Sequence, residues 1–428
     1  MKLLRYPALG LLLLLVLASS RQANGDGLVR DGVGPISTGR GGTNLGFADN
    51  GAIILDNPGA LVNVANNGLF ELGADVVTSQ VHYTDNKPND AQSAIRPIPV
   101  PNIAYIRRSR DKRWAWGLGV FGPQGFGASY EFQNSFAGPQ QYKSFAAVAK
   151  VLPTLSYRVT DRLSIGGSVG IAASYLNLEG PFFMPSGALA GAPAIVNLQG
   201  FGVAPIGSFG LQYKLSEKTM LGLSFTSMTK FHMGGVMNAN IFGVTPTPIY
   251  SRFSSSTDIN WPRSVGIGLA HKINRKNIVG LDVIWYDWAH AFNTVGINLT
   301  NPSNPLVPLL TGPTIAQHLP MNWRDTVSLR LGYQWMPNSR NTFRAGYVYH
   351  NSPVPNNTLS PYTDGILLHA FSTGYSRKIG RAYLNLAYQF TFGPTRTVTT
   401  SALPGGDFSN STLHAQAHIG SISLLVPF

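Results

Sequence analysis

The stretch Asp325-Thr326-Val327-Ser328-Leu329-Arg330-Leu331-Gly332-Tyr333-Gln334-Trp335 decides the fold of this chain. Val327, Leu329, Leu331, Tyr333 and Trp335 fall on one side of an extended backbone, and Thr326, Ser328, Arg330, Gly332 and Gln334 on the other. Side chains alternate along a strand, so this is a strand with one greasy face and one polar face. Residues 381–392 repeat the pattern: Ala382, Leu384, Leu386, Tyr388, Phe390 and Phe392 oppose Tyr383, Asn385, Gln389 and Thr391. In 151–159, Val151, Leu155, Tyr157 and Val159 oppose Thr154, Ser156 and Arg158. A soluble sandwich also alternates. Aromatics at strand ends, Tyr333 with Trp335 and Trp285 with Trp288, point instead to the girdles of a membrane barrel with a lipid face outside and a polar lumen.

Composition agrees. Of 428 residues only 12% are charged and 11% are aromatic, where ordinary globular chains carry ~25% charge. A disordered chain would be charge-rich and aromatic-poor. The absence of cysteine excludes a disulfide scaffold, a thiolate metal site, a cysteine nucleophile and an acylated lipoprotein cysteine. The longest apolar run, 9–18, is half of the ~20 residues a spanning helix needs. An apolar, aromatic chain without helical spans is expected to be all-β, a transmembrane antiparallel β-barrel.

The first residues give an address. Lys2 and Arg5 precede the apolar run, and Ala18, Ser19, Ser20, Ala23 and Gly25 follow it, the three-part pattern of a secretory signal peptide. Residues 1–25 are assigned to it, with cleavage after Ser20 or after Gly25. An exported barrel places the protein in a Gram-negative outer membrane. The net charge of +13 is scattered over strand ends and turns, among them Arg107, Arg108, Lys112, Lys272, Lys276, Arg377 and Lys378. Cations there suit anionic lipid head groups and lipopolysaccharide. They form no single basic motif for nucleic acid.

Connection lengths strengthen the reading. Tight charged turns at 109–112, 160–162, 216–218, 274–276, 337–340 and 378–380 alternate with long segments at 85–97, 122–146, 179–199, 233–254, 290–321, 351–365 and 394–412. Outer-membrane barrels pair short periplasmic turns with long outer loops. The count is about 14 strands over residues 68–428, ending on the aromatic Phe428. Ahead of them, 26–67 shows no strand alternation and is rich in Gly and Asn. Its apolar Ile36, Leu45, Phe47, Ile53, Ile54 and Leu55 are badly placed for a solvated tail, so a plug folded into the lumen is expected.

Residues Gly39-Arg40-Gly41-Gly42 through Asn57-Pro58-Gly59, Pro101-Asn102-Ile103-Ala104-Tyr105, Pro123-Gln124-Gly125, Leu152-Pro153-Thr154-Leu155-Ser156-Tyr157-Arg158, and Trp323-Arg324-Asp325 with Ser352-Pro353-Val354-Pro355 resemble the FadL-type long-chain fatty acid transporters, which include outer-membrane proteins for toluene-like hydrocarbons. Gly59 stands where that family's Asn-Pro-Ala box has Ala. The resemblance implies a fourteen-stranded barrel closed by an N-terminal hatch, here with Phe47, Asn57, Pro58 and Gly59. It also implies capture of an apolar molecule among outer loops, and sideways release beside an inward kink of the third strand. The matching region holds Gly119, Gly122, Gly125 and Gly127; the residues alone fit equally a loop after that strand.

Candidate cargo contacts follow from side-chain chemistry. Phe126, Phe182 and Phe183 sit in long apolar outer segments that suggest a binding groove. A fatty acid carboxylate would need a cation; Arg158 and Arg324 are the candidates, against a structural reading in which Arg158, Arg330 and Arg344 pair with Glu71, Asp75 and Asp282. No cofactor is implied, and a monomer is expected. The alternatives are a porin for polar solutes, which would lack a plug, and a lipid-acting outer-membrane enzyme. None of the nine histidines falls in a Gly-x-Ser-x-Gly or His-x-x-x-His frame, and Asp287 near His290 is a weak signal.

Overall fold

The structure is a computed structural model that describes residues 28–94, 96–363 and 365–428. The signal-peptide assignment, 1–25, lies outside the described residues. Fourteen antiparallel strands close a barrel. In chain order they are β1 Gly68–Asp85, β2 Ile98–Arg108, β3 Trp114–Asn134, β4 Gly138–Arg158, β5 Leu163–Phe183, β6 Pro193–Ser216 and β7 Thr219–Thr226. They continue with β8 Ser264–Lys272, β9 Asn277–Tyr286, β10 Thr326–Trp335, β11 Asn341–His350, β12 His369–Ile379, β13 Ala382–Phe392 and β14 Ser411–Pro427. The seam joins the chain's ends: β14 pairs with β1 from Leu69↔Pro427 to Asp85↔Ser411. Phe428 finishes it, its ring stacked on Tyr105 with centroids 5.5 Å apart.

The alternation that opened the argument is the wall itself. Along β10, Val327, Leu331, Tyr333 and Trp335 are exposed while Thr326, Ser328, Arg330 and Gln334 are buried. Val327 is 41% exposed and Leu331 49% in the bare chain, which is the lipid face of a barrel strand. Trp114, Trp116, Trp335 and Phe343 stand exposed near the tight turns and form the aromatic row of that end. Each tight turn expected from the sequence joins two consecutive barrel strands, as Ser109 N donating to Trp114 O does between β2 and β3.

Several expected outer loops are ladder instead. The 122–146 segment continues β3 to Asn134 and resumes in β4 at Gly138. The 179–199 segment is likewise mostly β5 and β6. The 233–254 segment belongs to a hairpin, Thr229–Ile241 with Ile249–Trp261, that extends the wall above β6, and 290–321 holds a second hairpin, Thr294–Thr300 with Thr314–Pro320. The Gly, Pro and Asn of these segments punctuate strands, where ladder pairing satisfies most of the backbone.

Two features of the wall position the site. In the β3–β4 ladder the register shifts between Phe121↔Lys150 and Gln124↔Val148, so β3 carries an extra residue at Gly122-Pro123. Such a bulge bends its strand. On the other side β3 pairs with β2 only up to Ile103↔Val120, although β2 continues back to Ile98 along β1.

Candidate functional site

The leading segment, 28–67, is almost wholly buried against the inward faces of the strands. A helix Gly34–Gly39, a turn Ile53–Asp56 and a 3-10 turn Pro58–Asn63 give it shape. Barrel carboxylates hold its backbone. Glu71 accepts from Gly51 N at 2.6 Å, and Asp282 Oδ2 accepts from Asn44 N at 2.7 Å and Leu45 N at 3.0 Å. Asp75 accepts from Gly34 N at 3.1 Å and pairs with Arg30 at 2.7 Å. The lumen acids therefore bind the segment, and among the described residues no ion pair joins Arg158, Arg330 or Arg344 to Glu71, Asp75 or Asp282. Arg330 donates to Asp31 O, and Arg344 donates to Gln334 and Ser376.

Strand glycines let the segment come this close. A Cβ on Gly210 would lie 2.1 Å from Asn57 Oδ1, and one on Gly346 would lie 2.1 Å from Gly41 N. Within the segment, Gly42 has φ +72°, and a Cβ there would strike Asp31 O.

The named hatch residues meet in this core. Asn57 Nδ2 donates to Leu45 O at 2.8 Å and to Leu211 O of β6 at 3.0 Å, and its Oδ1 accepts from Gly59 N. The Pro58-Gly59 carbonyls lie against β4 and β5, where Ser156 and Ser164 donate to Gly59 O. Phe47 carries the Arg40 guanidinium 3.7 Å above its ring, and Arg40 pairs with Asp49 at 2.6 Å. Burial works against the Asp49 charge, but Arg40 outweighs it and holds the carboxyl down at about 2. Asp56 is half-buried and accepts from Asn44 Nδ2; desolvation outweighs that bond and pushes its carboxyl up to about 6. The segment is thus a locked polar knot.

Above it the inward face changes character. A cavity of about 160 Å³ is lined by Phe126, Leu176, Phe182, Phe183, Ile259 and Trp261, with Phe292, Met321 and Phe408 among the rest. The structure brings Phe126, Phe182 and Phe183 together around this one space. Among the described residues, its ionisable lining groups are Asp407 and Tyr362. Burial raises the Asp407 carboxyl to about 6, although Lys87 opposes the shift. Tyr362 OH donates to Glu179 O.

Neither candidate arginine lines this cavity. Arg158 ends β4 near the tight turn and donates to Val62 O and Asn63 Oδ1, both at 3.2 Å. Arg324 lies exposed before β10, with its backbone N on Pro353 O. Sequence reasoning placed Arg158 correctly on the polar face but had no measure of its depth.

The four glycines of the third-strand region are all on β3. A Cβ on Gly119 would meet Phe121 and Ile54. Gly122 sits in the bulge; Gly125 and Gly127 pair with Ala147 and Phe145 above it. The segment's first residues cover the bulge from inside: Arg30 N donates to Pro123 O at 3.0 Å, Gly125 N to Leu28 O at 3.1 Å, and Arg30 Nη1 to Gly122 O at 3.2 Å.

Two histidine clusters bear on the enzyme alternative. His232 bridges Asp258 at 2.8 Å and Ser256 at 3.1 Å on the outer hairpin, and His290 lies 2.5 Å from Asp287. In the first, the carboxylate is 62% and the imidazole 74% exposed, so the acid's field on the ring is screened. In the second, the buried Asp287 carboxylate is also bound by Arg263 at 2.6 Å. Neither borders the apolar cavity.

A closed barrel with an exposed apolar girdle, a filled lumen and an apolar chamber defines an outer-membrane transport barrel. The match to the family model "Outer membrane protein transport protein (OMPP1/FadL/TodX)" runs over residues 14–426. The chain belongs to that family, whose members are transport channels for hydrophobic compounds in the Gram-negative outer membrane. It is 22% identical over 383 residues to the long-chain fatty acid transport protein of Escherichia coli O6:H1, covering 79% of this chain and 82% of that one. The Pseudomonas putida toluene transporter TodX superposes with a TM-score of 0.77 at 22% identity, covering 94% of this chain and 99% of the other. A Pseudomonas aeruginosa FadL homologue gives 0.76 at 16% identity, covering 94% and 100%.

Proposed function

We propose that the protein takes up hydrophobic compounds passively, as a monomer, in three stages. Cargo is captured among the outer hairpins and held in the apolar cavity. It passes when the leading segment, acting as a hatch, rearranges. It leaves sideways into the bilayer at the β3 bulge, where β2 and β3 have parted.

The observation that carries this reading is the apolar cavity under the outer hairpins. Apolar cavities of about 150 Å³ hold a single aromatic ring. Burying six cargo carbons gives roughly 5 kcal/mol, enough for capture without a charged contact. The names of the relatives, a fatty acid transport protein and a toluene transporter, fit this class of cargo. A polar-solute porin has no use for such a chamber.

The test uses the intact protein in mild detergent, with toluene and oleate as ligands. Saturable binding of either is expected, weakened at least tenfold by Trp261→Ala or Phe182→Ala, since such truncations cost about 1.4 kcal/mol or more. Absence of saturable binding of both ligands overturns the reading. The exit is tested by a staple. A Cβ on Gly122 would lie 3.9 Å from Val100 Cβ, a disulfide distance. Val100→Cys with Gly122→Cys, oxidised, should leave binding intact and stop delivery to the membrane until reduced. Undiminished delivery would refute lateral release.

A further inference from the structure

We infer that Lys150 receives the anionic end of an amphipathic cargo at the inner side of the β3 bulge; the inference rests on the lateral exit proposed above. Lys150 lies on the inward face of β4 and is 4% exposed. Its partner across the ladder is Phe121, the last paired residue before the register shifts. Among the described residues no hydrogen bond or ion pair reaches its Nζ. The other lumen cations are engaged: Arg30 by Asp75, Arg40 by Asp49, and Arg344 by Gln334 and Ser376. A buried ammonium without a partner is costly, so the position calls for a ligand.

The space beside it suits a head group. Lys150 borders a cavity of about 70 Å³ between the leading segment and the wall, with Pro123 and Gln124 of the bulge, Asp56 and Asp282 also on its surface. Asp56 shares its field with the lysine, but among the described residues neither Asp56 nor Asp282 makes a hydrogen bond or close ion pair with it. Asp56 accepts from Asn44 Nδ2, and Asp282 from two backbone amides of the segment. At ~30 Å³ of liquid per water the space takes two waters or one carboxylate, and no alkyl chain. The chain's place is through the bulge, toward lipid. Trp261 lines the upper cavity and Pro262 this lower one, so the two chambers adjoin. The upper chamber has no cation among its lining residues, so a carboxylate is first met by positive charge here.

The experiment compares oleate with methyl oleate on the full-length protein carrying Lys150→Met or Lys150→Arg. The Met variant should weaken oleate binding by about tenfold, the worth of one charge-assisted contact, and leave methyl oleate unchanged. The Arg variant should restore most of the oleate affinity. Lys150→Gln, made alongside, serves if the Met variant is not recovered from membranes. An unchanged oleate-to-ester ratio would overturn the inference and make Lys150 a water-bridged partner of Asp56. If wild type binds neither ligand, the uptake reading itself fails, a different result.

Discussion

The outer and inner halves of the lumen are built on the same strands by opposite means. On β4, the inward Ala146 and Val148 belong to the upper half, and Thr154 and Ser156 to the lower. On β5 the upper Leu176 gives way to Ser168, Gly166 and Ser164. Strand periodicity fixes only which residues face inward. What they face is set by side-chain size and polarity. Large apolar groups line a cavity above. Glycine, serine and a few carboxylates below accept a folded segment at backbone distance. An apolar cavity and a packed polar core are thus encoded separately on one scaffold.

The sharpest way to break this contrast is to remove the filling. Deleting 28–64 should raise ion conductance in planar bilayers well above the wild-type level, because the residues left facing the lower lumen are mostly small and polar. If conductance stays at the wild-type level, the lower lumen is closed by something other than this segment. A smaller effect tests one attachment. Asp75→Ala strands the buried Arg30 guanidinium, at about 3–5 kcal/mol for breaking such a pair. Amide hydrogen exchange at 28–34 should rise while that of the β1–β14 seam does not; equal protection would show that the pair is not what holds this end.

The mildest effect concerns the upper chamber. The Asp407 carboxyl sits at about 6, above its unfolded value, so its neutral form is the one the folded site favours. That contribution is complete below the unfolded value and declines as pH rises through about 6. Thermal stability of the protein in detergent should therefore fall modestly between pH 5 and pH 7, and Asp407→Asn should flatten the profile. A profile unaffected by the substitution removes Asp407 from the chamber's energetics.

The wall was legible in the sequence because dyad alternation is local: Val327 through Trp335 announces its own lipid face. The tight turns were legible for the same reason. Loop extent was not. Gly122, Pro123, Gly180 and Pro181 carry turn chemistry, yet the first two fall in a bulge between paired Phe121 and Gln124, and the other two pair with Val196 and Ile195. The aromatic trio Phe126, Phe182 and Phe183 could be named from composition, but Trp261, Ile259 and Phe292 could not, because they arrive from a distant hairpin. Arg158 and Lys150 share the inward phase of one strand. Depth along the strand separates them, and alternation carries no depth. The inward strand glycines were the overlooked signal: a glycine at Gly210 or Gly346, on the face away from lipid, marks where another backbone lies.

The seam between β1 and β14 has a consequence for biogenesis. Residue 69 must find residue 427 across nearly the whole barrel sequence, so ring closure waits for the last strand to be exported. The leading segment emerges first and cannot be threaded in after the ring is shut. It must already lie across the unfinished, open sheet when the last strand zips. Strand insertion and core packing are then coupled, and a lesion in the segment's contacts should slow assembly as well as alter transport.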